Sequence, residues 1–144
     1  MSATNATETA ILSLIFTATA WADIAQNDGS SPATTFYISL HTATPGETGD
    51  QTSNETAYTG YARVSVSRDA SGWTVTGNSV TNDAEIAFGQ CTASPGSAIT
   101  HVGLGTASSG AGTLLLFNAL DASVTMQVGT VPIFSATELE FTCD

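Results

Sequence analysis

The sequence predicts an all-β fold, a β-sandwich or jelly roll of about eight strands with one N-terminal α-helix. Three observations carry this. Segments with apolar residues at every second position recur at intervals of about 8 to 12 residues. Gly-rich or Pro-containing turns separate them. Apolar spacing of three and four residues is confined to one stretch, from Glu8 to Gln26.

That stretch reads as the helix. Ile11, Leu14, Ile15, Ala18, Ala22 and Ala25 form a stripe that Leu12 and Phe16 widen, Asn5 and Glu8 fit a capping box, and Asp28-Gly29 supplies a stop. With only Glu8 and Asp23 as charges, the helix is expected to touch protein on both sides. Either it bridges its own sheet and a neighbouring subunit, or it lies wholly within its own domain. The division expected is an assembly arm, 1–35, and a β-domain, 36–144. Residues 10–22 are largely apolar, and Ala20-Trp21-Ala22 resembles a signal-peptidase site. No Lys or Arg precedes them and the run is too short to span a bilayer, so the segment is read as part of the mature fold.

The strands follow in order. In Phe36-Tyr37-Ile38-Ser39-Leu40-His41 the alternation predicts a half-buried strand. Residues 42–57 carry a Pro-Gly breaker, three acidic groups and no large apolar side chain, so this loop must lie over other structure or stay mobile. Tyr58 to Arg68 re-enters a sheet. Asp69-Ala70-Ser71-Gly72 turns the chain into Trp73-Thr74-Val75-Thr76, and Gly77-Asn78 turns it again. Val80, Ala84, Ile86 and Phe88 mark one strand, and Ala98 to Leu104 the next. Thr106 to Gly112 is a flexible connection. Leu114-Leu115-Leu116-Phe117 is a continuous apolar run, expected of a strand covered on both sides. Val124 to Val128 alternates cleanly. Gly129 and Pro132 bracket an edge, and in Glu138 to Asp144 Leu139, Phe141 and Cys143 face inward.

Composition narrows function. The chain has 144 residues, 42% of them hydrophobic, enough for a core of its own. Two Lys+Arg stand against thirteen Asp+Glu, a formal net charge of −11. Phosphate backbones are bound by cations, so direct nucleic-acid binding is not expected. The acidity serves solubility or complements a basic partner surface. Cys91 and Cys143 have no metal-ligand spacing and are read as two separate buried thiols. With no lysine in the chain there is neither a P-loop nor a Schiff-base site, and no Gly-x-Ser-x-Gly elbow is present. No enzyme and no cofactor are expected. His41 and His101, the only imidazoles, are read as structural. Glu47, Asp50, Asn54 and Glu55 form either a solvated acidic loop or a calcium-holding one. Arg63 either pairs with a carboxylate of that loop or is exposed.

The run Tyr37-Ile38-Ser39-Leu40-His41-Thr42-Ala43-Thr44-Pro45-Gly46-Glu47-Thr48-Gly49, then Glu55, Tyr58 and Gly60-Tyr61-Ala62-Arg63-Val64, with Ile99-Thr100-His101-Val102-Gly103-Leu104 later, resembles a family of small structural proteins of tailed bacteriophages. The likeness covers most of residues 36 to 144. Members are labelled capsid decoration (cement), tail-fibre or virion proteins. The resemblance implies a cement protein on the capsid exterior of the virion, made in the host bacterial cytoplasm, that bridges capsomers. Its expected partners are the major capsid protein and further copies of itself, as dimer or trimer, with no membrane contact. Ile11, Leu12, Leu14, Ile15, Phe16 and Trp21 are the expected docking residues, aided by the loops 42–57 and 106–112. His41, Arg63 and His101 are the motif residues. The alternative is a tail-fibre or receptor-binding module, in which Tyr58, Tyr61 and Trp73 would stack on glycans.

Overall fold

The computed structural model describes residues 3–21, 24, 32–93 and 97–143. Helix α1 (Asn5–Phe16) is followed by β1 (Thr35–His41), β2 (Val64–Ser67), β3 (Trp73–Thr76), β4 (Ser79–Asn82), β5 (Ile86–Ala87), β6 (Ala98–Gly105), β7 (Leu114–Thr125), β8 (Ile133–Phe134) and β9 (Glu140–Thr142). The all-β class with one N-terminal helix holds. The strands form a four-stranded sheet in the order β2-β1-β6-β7, a three-stranded sheet β3-β4-β9, and the pair β5-β8.

The chain divides into two compact units. The first comprises residues 1–35, 67–86 and 134–144; the second comprises 36–66 and 87–133. The N-terminal segment therefore shares a unit with β3, β4 and β9.

In the first unit, α1 begins at Thr4, whose hydroxyl accepts a hydrogen bond from the Thr7 amide, rather than at Asn5. It ends at Phe16, ten residues short of the predicted Gln26. Thr17 and Thr19 both donate their amides to the Ser13 carbonyl, and Ala18 between them has φ 54°, a left-handed turn that closes the helix without glycine. The predicted stop at Asp28-Gly29 lies outside the described residues. The Arg68 guanidinium covers the end of the helix, donating to the carbonyls of Leu14 and Ile15 and, at 3.0 Å, to that of Ala33. Helix ends leave such carbonyls without intrahelical partners. A cation from a distant segment here does what no residue of the last turn does.

The buried face of α1 is Glu8, Leu12 and Phe16. Phe16 meets Trp73 edge-on at 4.9 Å between ring centroids and Phe141 at 5.7 Å. Beneath them β3 and β4 make a hairpin, Trp73 opposite Asn82 and Thr76 opposite Ser79. Gly77 takes the first central position of its two-residue turn with φ 61°, where a side chain would be strained. Asn82 is fully buried and knits the unit together. It donates to the carbonyls of Ala84 and Ser135 and accepts the Leu139 amide through its side chain.

In the second unit, β1 and β6 pair antiparallel with Ile38 opposite Leu104 and His41 opposite His101. The half-buried strand predicted at Phe36–His41 is buried on both faces. Phe36, Ile38 and Leu40 supply one, while Ser39 and His41, at 0% exposure, are enclosed on the other. Two further expectations change. The strand predicted over Tyr58–Arg68 shortens to β2, because the Tyr61 amide donates back to the Tyr58 carbonyl in a turn. The single strand predicted over Val80–Phe88 is two, β4 and β5, interrupted after Asn82.

The run Leu114–Phe117 departs most from expectation. It begins β7, the last strand of its sheet, and Leu115 and Leu116 are 41% and 36% exposed. A continuous apolar run can belong to a strand buried on both faces, but nothing in its sequence says whether it is central or at an edge.

Candidate functional site

The residues singled out in the sequence meet on the second unit, where the loop from Thr42 to Glu55 is fastened to the sheet. The loop closes on β1 through backbone bonds: the Thr42 amide donates to Asn54 at 2.8 Å and the Thr56 amide to Leu40 at 2.9 Å. Asn54 has φ 56°, a conformation Asn tolerates, and its side chain donates to the Thr44 carbonyl. Inside the loop, Asp50 accepts from the amide and hydroxyl of Thr52 and from the Ser53 hydroxyl. These bonds hold its carboxyl below the usual range.

Arg63 clamps the assembly. Its Nε and Nη2 donate to the two carboxylate oxygens of Glu55, each at 2.7 Å, in a bidentate pair. Nη1 reaches the Ala107 carbonyl and Nη2 that of Gly110, both at 2.8 Å. One guanidinium thus ties the 42–57 loop to the 106–112 loop. Hydrogen bonding to Glu55 holds the guanidinium pKa above its ordinary value. Tyr61 extends the chain: it donates to Glu55 at 2.7 Å and accepts the Leu40 amide at 3.1 Å. Burial pushes its phenol far up, as burial pushes that of Tyr58 to about 12.

Gln51, also fully buried, is the centre that sequence reasoning missed. Its backbone amide donates to the Ala111 carbonyl and its side-chain Oε1 accepts from the Ala107 amide, so the same loop is held at two points. A Cβ at Gly105 or Gly112 would collide with the Gln51 side chain, which is why both positions are glycine. Of the two, Gly112 read as part of a flexible connection, and Gly105 was the signal left unused. Among the described residues, Gln51 Nε2 has no hydrogen-bond partner.

His41 sits inside this platform. Its Nδ1 is 2.9 Å from the Ser53 carbonyl and its Nε2 is 2.9 Å from the Ser39 hydroxyl. A carbonyl accepts only from an N–H, so Nδ1 carries a proton; burial favours the neutral ring, the form in which Nε2 accepts from Ser39. Burial lowers its pKa, against opposing contributions from Ser53 and Glu55. His101 lies opposite it in the ladder and hydrogen-bonds through Nδ1 to its neighbour Thr100 at 2.8 Å. The Ser39–His41 pair resembles a nucleophile and base, yet both side chains are sealed from substrate. Among the described residues no group of three or more His, Cys, Asp or Glu could hold a metal ion. Of the carboxylates that a calcium-holding loop would use, Asp50 is engaged in a turn and Glu55 by Arg63. Cys91 is a buried free thiol, whereas Cys143, expected to be buried too, is partly exposed.

The expected docking residues separate. Leu12 and Phe16 are buried within their unit, Ile11, Leu14 and Trp21 are half-buried, and Ile15 is exposed. Of the aromatics assigned to glycan stacking, Trp73 and Tyr58 are 1% and 2% exposed and Tyr61 is half-buried with its hydroxyl engaged, so they form core rather than a binding face.

The sequence model of the family described as podophage GP4 fiber I protein gp80 matches residues 2–142. The chain belongs to this family. It is a bacteriophage virion structural protein, and the match takes in the N-terminal segment as well as the clamped loops. No curated protein matches the chain. Among the described residues no helix is long and apolar enough to cross a membrane.

Proposed function

We propose that this chain is a fibre subunit of a podophage-type virion, acting through packing rather than chemistry. The observation that carries the reading is the family's description as a fibre protein, matched over nearly the whole chain. The clamped loops support it. A fibre subunit must present loops of fixed shape outside the particle, and the 42–57 loop gains its shape from Arg63, Gln51 and His41 instead of from a bound partner. Enclosure of the Ser39–His41 pair supports a role without catalysis.

Capsid decoration, with the major capsid protein as partner, shares the same structural class, and the two readings differ in where the chain sits. Cryo-electron microscopy of the virion tests this. Density for the chain in a projecting fibre is the expected result. Density lying flat across capsomer seams would overturn the fibre reading in favour of cement, and absence from the particle would overturn both.

A further inference from the structure

The 42–57 loop holds two of the three buried side-chain atoms that lack a hydrogen-bond partner among the described residues, Gln51 Nε2 and Thr56 Oγ1; the third, Trp73 Nε1, is in the first unit. A buried polar group without a partner forfeits the hydration it has in water, so it favours any state in which water reaches it. The loop also lacks a large apolar side chain to hold it down. Its segment 42–54 is tied to the rest of the unit by polar contacts. The Gln51 backbone amide donates to Ala111, the Gln51 side chain accepts from the Ala107 amide, and the Ser53 carbonyl accepts from the His41 ring.

Of these contacts, the one to His41 changes with pH. The ring is at 0% exposure, and the ladder sets Glu55 on one side of its residue and His101 on the other. It rests on Gly103, where a Cβ would come within 2.7 Å of Nε2 and 2.8 Å of Leu114 Cδ1, which leaves water no space on the sheet side. In the neutral ring Nε2 accepts the Ser39 proton. In the imidazolium Nε2–H donates instead, and the Ser39 hydroxyl turns to its other acceptor, the Gly103 carbonyl at 3.4 Å. Hydrogen bonds thus survive protonation, but the new charge has no counter-ion of its own. Glu55 is already shared by Arg63 and Tyr61, and Asp50 is turned to Thr52 and Ser53. The Arg63 guanidinium adds positive charge and His101 adds no negative charge. A buried imidazolium so placed is relieved by water, which can enter from the loop side.

We infer that His41 is an acid-operated latch: its protonation lifts the segment 42–54 off the sheet, with Glu55 left on Arg63 as the hinge, while β1 and β6 stay paired. Closed at neutral pH, the loop has the fixed shape described above. Opened in acid, it hydrates the imidazolium, Gln51 and Thr56 together. The sign follows from burial, which lowers the His41 pKa below 6.5 in the closed form, whereas in the open form the ring faces water. The ratio of open to closed loop is therefore constant well above pH 6.5 and rises by up to about tenfold for each pH unit below it, until the closed form also takes up the proton. The inference does not depend on whether the chain sits in a fibre or on a capsid.

Amide hydrogen exchange of the full chain from about pH 7.5 to about pH 5, each rate divided by that of an unstructured peptide at the same pH, is the test. Protection of the Thr42, Gln51 and Ala107 amides is expected to fall by up to about tenfold per pH unit in acid, while the β1–β6 ladder keeps its protection. The His41 ring nitrogen signals, followed in the same wild-type sample, change over the same pH range. His41→Gln, neutral at every pH, keeps the loop closed throughout. Should that variant fail to fold, the coincidence of ring titration and loop opening in the wild type decides the matter. Loop protection that ignores pH, protection lost from loop and ladder together, loop opening displaced from the ring titration, or a pH dependence that survives in folded His41→Gln would overturn the inference.

Discussion

Arg63 is a cation that works almost wholly on the inside. Its side chain is 2% exposed and Glu55's is 17% exposed, so the pair exchanges hydration for four hydrogen bonds on one rigid fork. Replacing it with Ala leaves Glu55 uncompensated and frees both loops. Arg63→Ala is expected to cost about 3 kcal/mol, read as a lower urea midpoint, with fast amide exchange at 42–57 and 106–112. Arg63→Lys recovers less than half, since an ammonium cannot bind Glu55 in the bidentate geometry while also meeting Ala107 and Gly110. His41 gives a pH dependence. Its folded pKa lies below the ordinary 6.5 because burial disfavours the imidazolium, so below that pH the unfolded chain takes up the proton first. The contribution is complete above pH 6.5 and fades as pH falls towards the folded value, by at most about 1.4 kcal/mol per pH unit. Urea midpoints at neutral and mildly acidic pH measure this, and His41→Gln should flatten the difference.

At the scale of elements, α1 shows what a local pattern can and cannot say. Leu12 and Phe16, which only widen the periodic stripe, are the apolar residues the helix buries, whereas Ile11 and Leu14 of the stripe itself are half-buried and Ile15 is exposed. The end of the helix depends on Arg68, fifty-three residues after Ile15, and on a left-handed Ala18. Neither is visible in a window of neighbours, so the periodicity ran on to Gln26. Arg68→Ala should therefore destabilise the last turn by about 2 kcal/mol, seen as lost helical signal and a lower Tm, while the second unit's amides exchange unchanged. In β7 the limit is different. Leu114–Phe117 was legible as a strand, but its place in the sheet follows from which neighbours pair, and an edge and a centre carry the same letters. The clamped loop was legible in part. Pairing of Arg63 with a carboxylate of the loop was one of two readings and did not single out Glu55, whereas Gln51 gave no sign of burial because its loop lacks large apolar residues.

Across the whole molecule, class was easier to read than arrangement. Alternation in Phe36–His41 and Ala98–Leu104 named the strands and the motifs placed the chain among phage structural proteins. The linking of distant segments into two units by Asn82 in one and Arg63 in the other needed coordinates. Both arginines are held by backbone carbonyls or Glu55, and the chain contains no lysine. Trypsin, which cuts after those two residue types, thus has two targets, each engaged in the folded protein. Even the unfolded chain would yield only residues 1–63, 64–68 and 69–144. Two of those pieces are too long, and one too short, for routine peptide sequencing. A tryptic survey of virion proteins would pass over this subunit however many copies the particle held, while a protease that cuts after glutamate would find it.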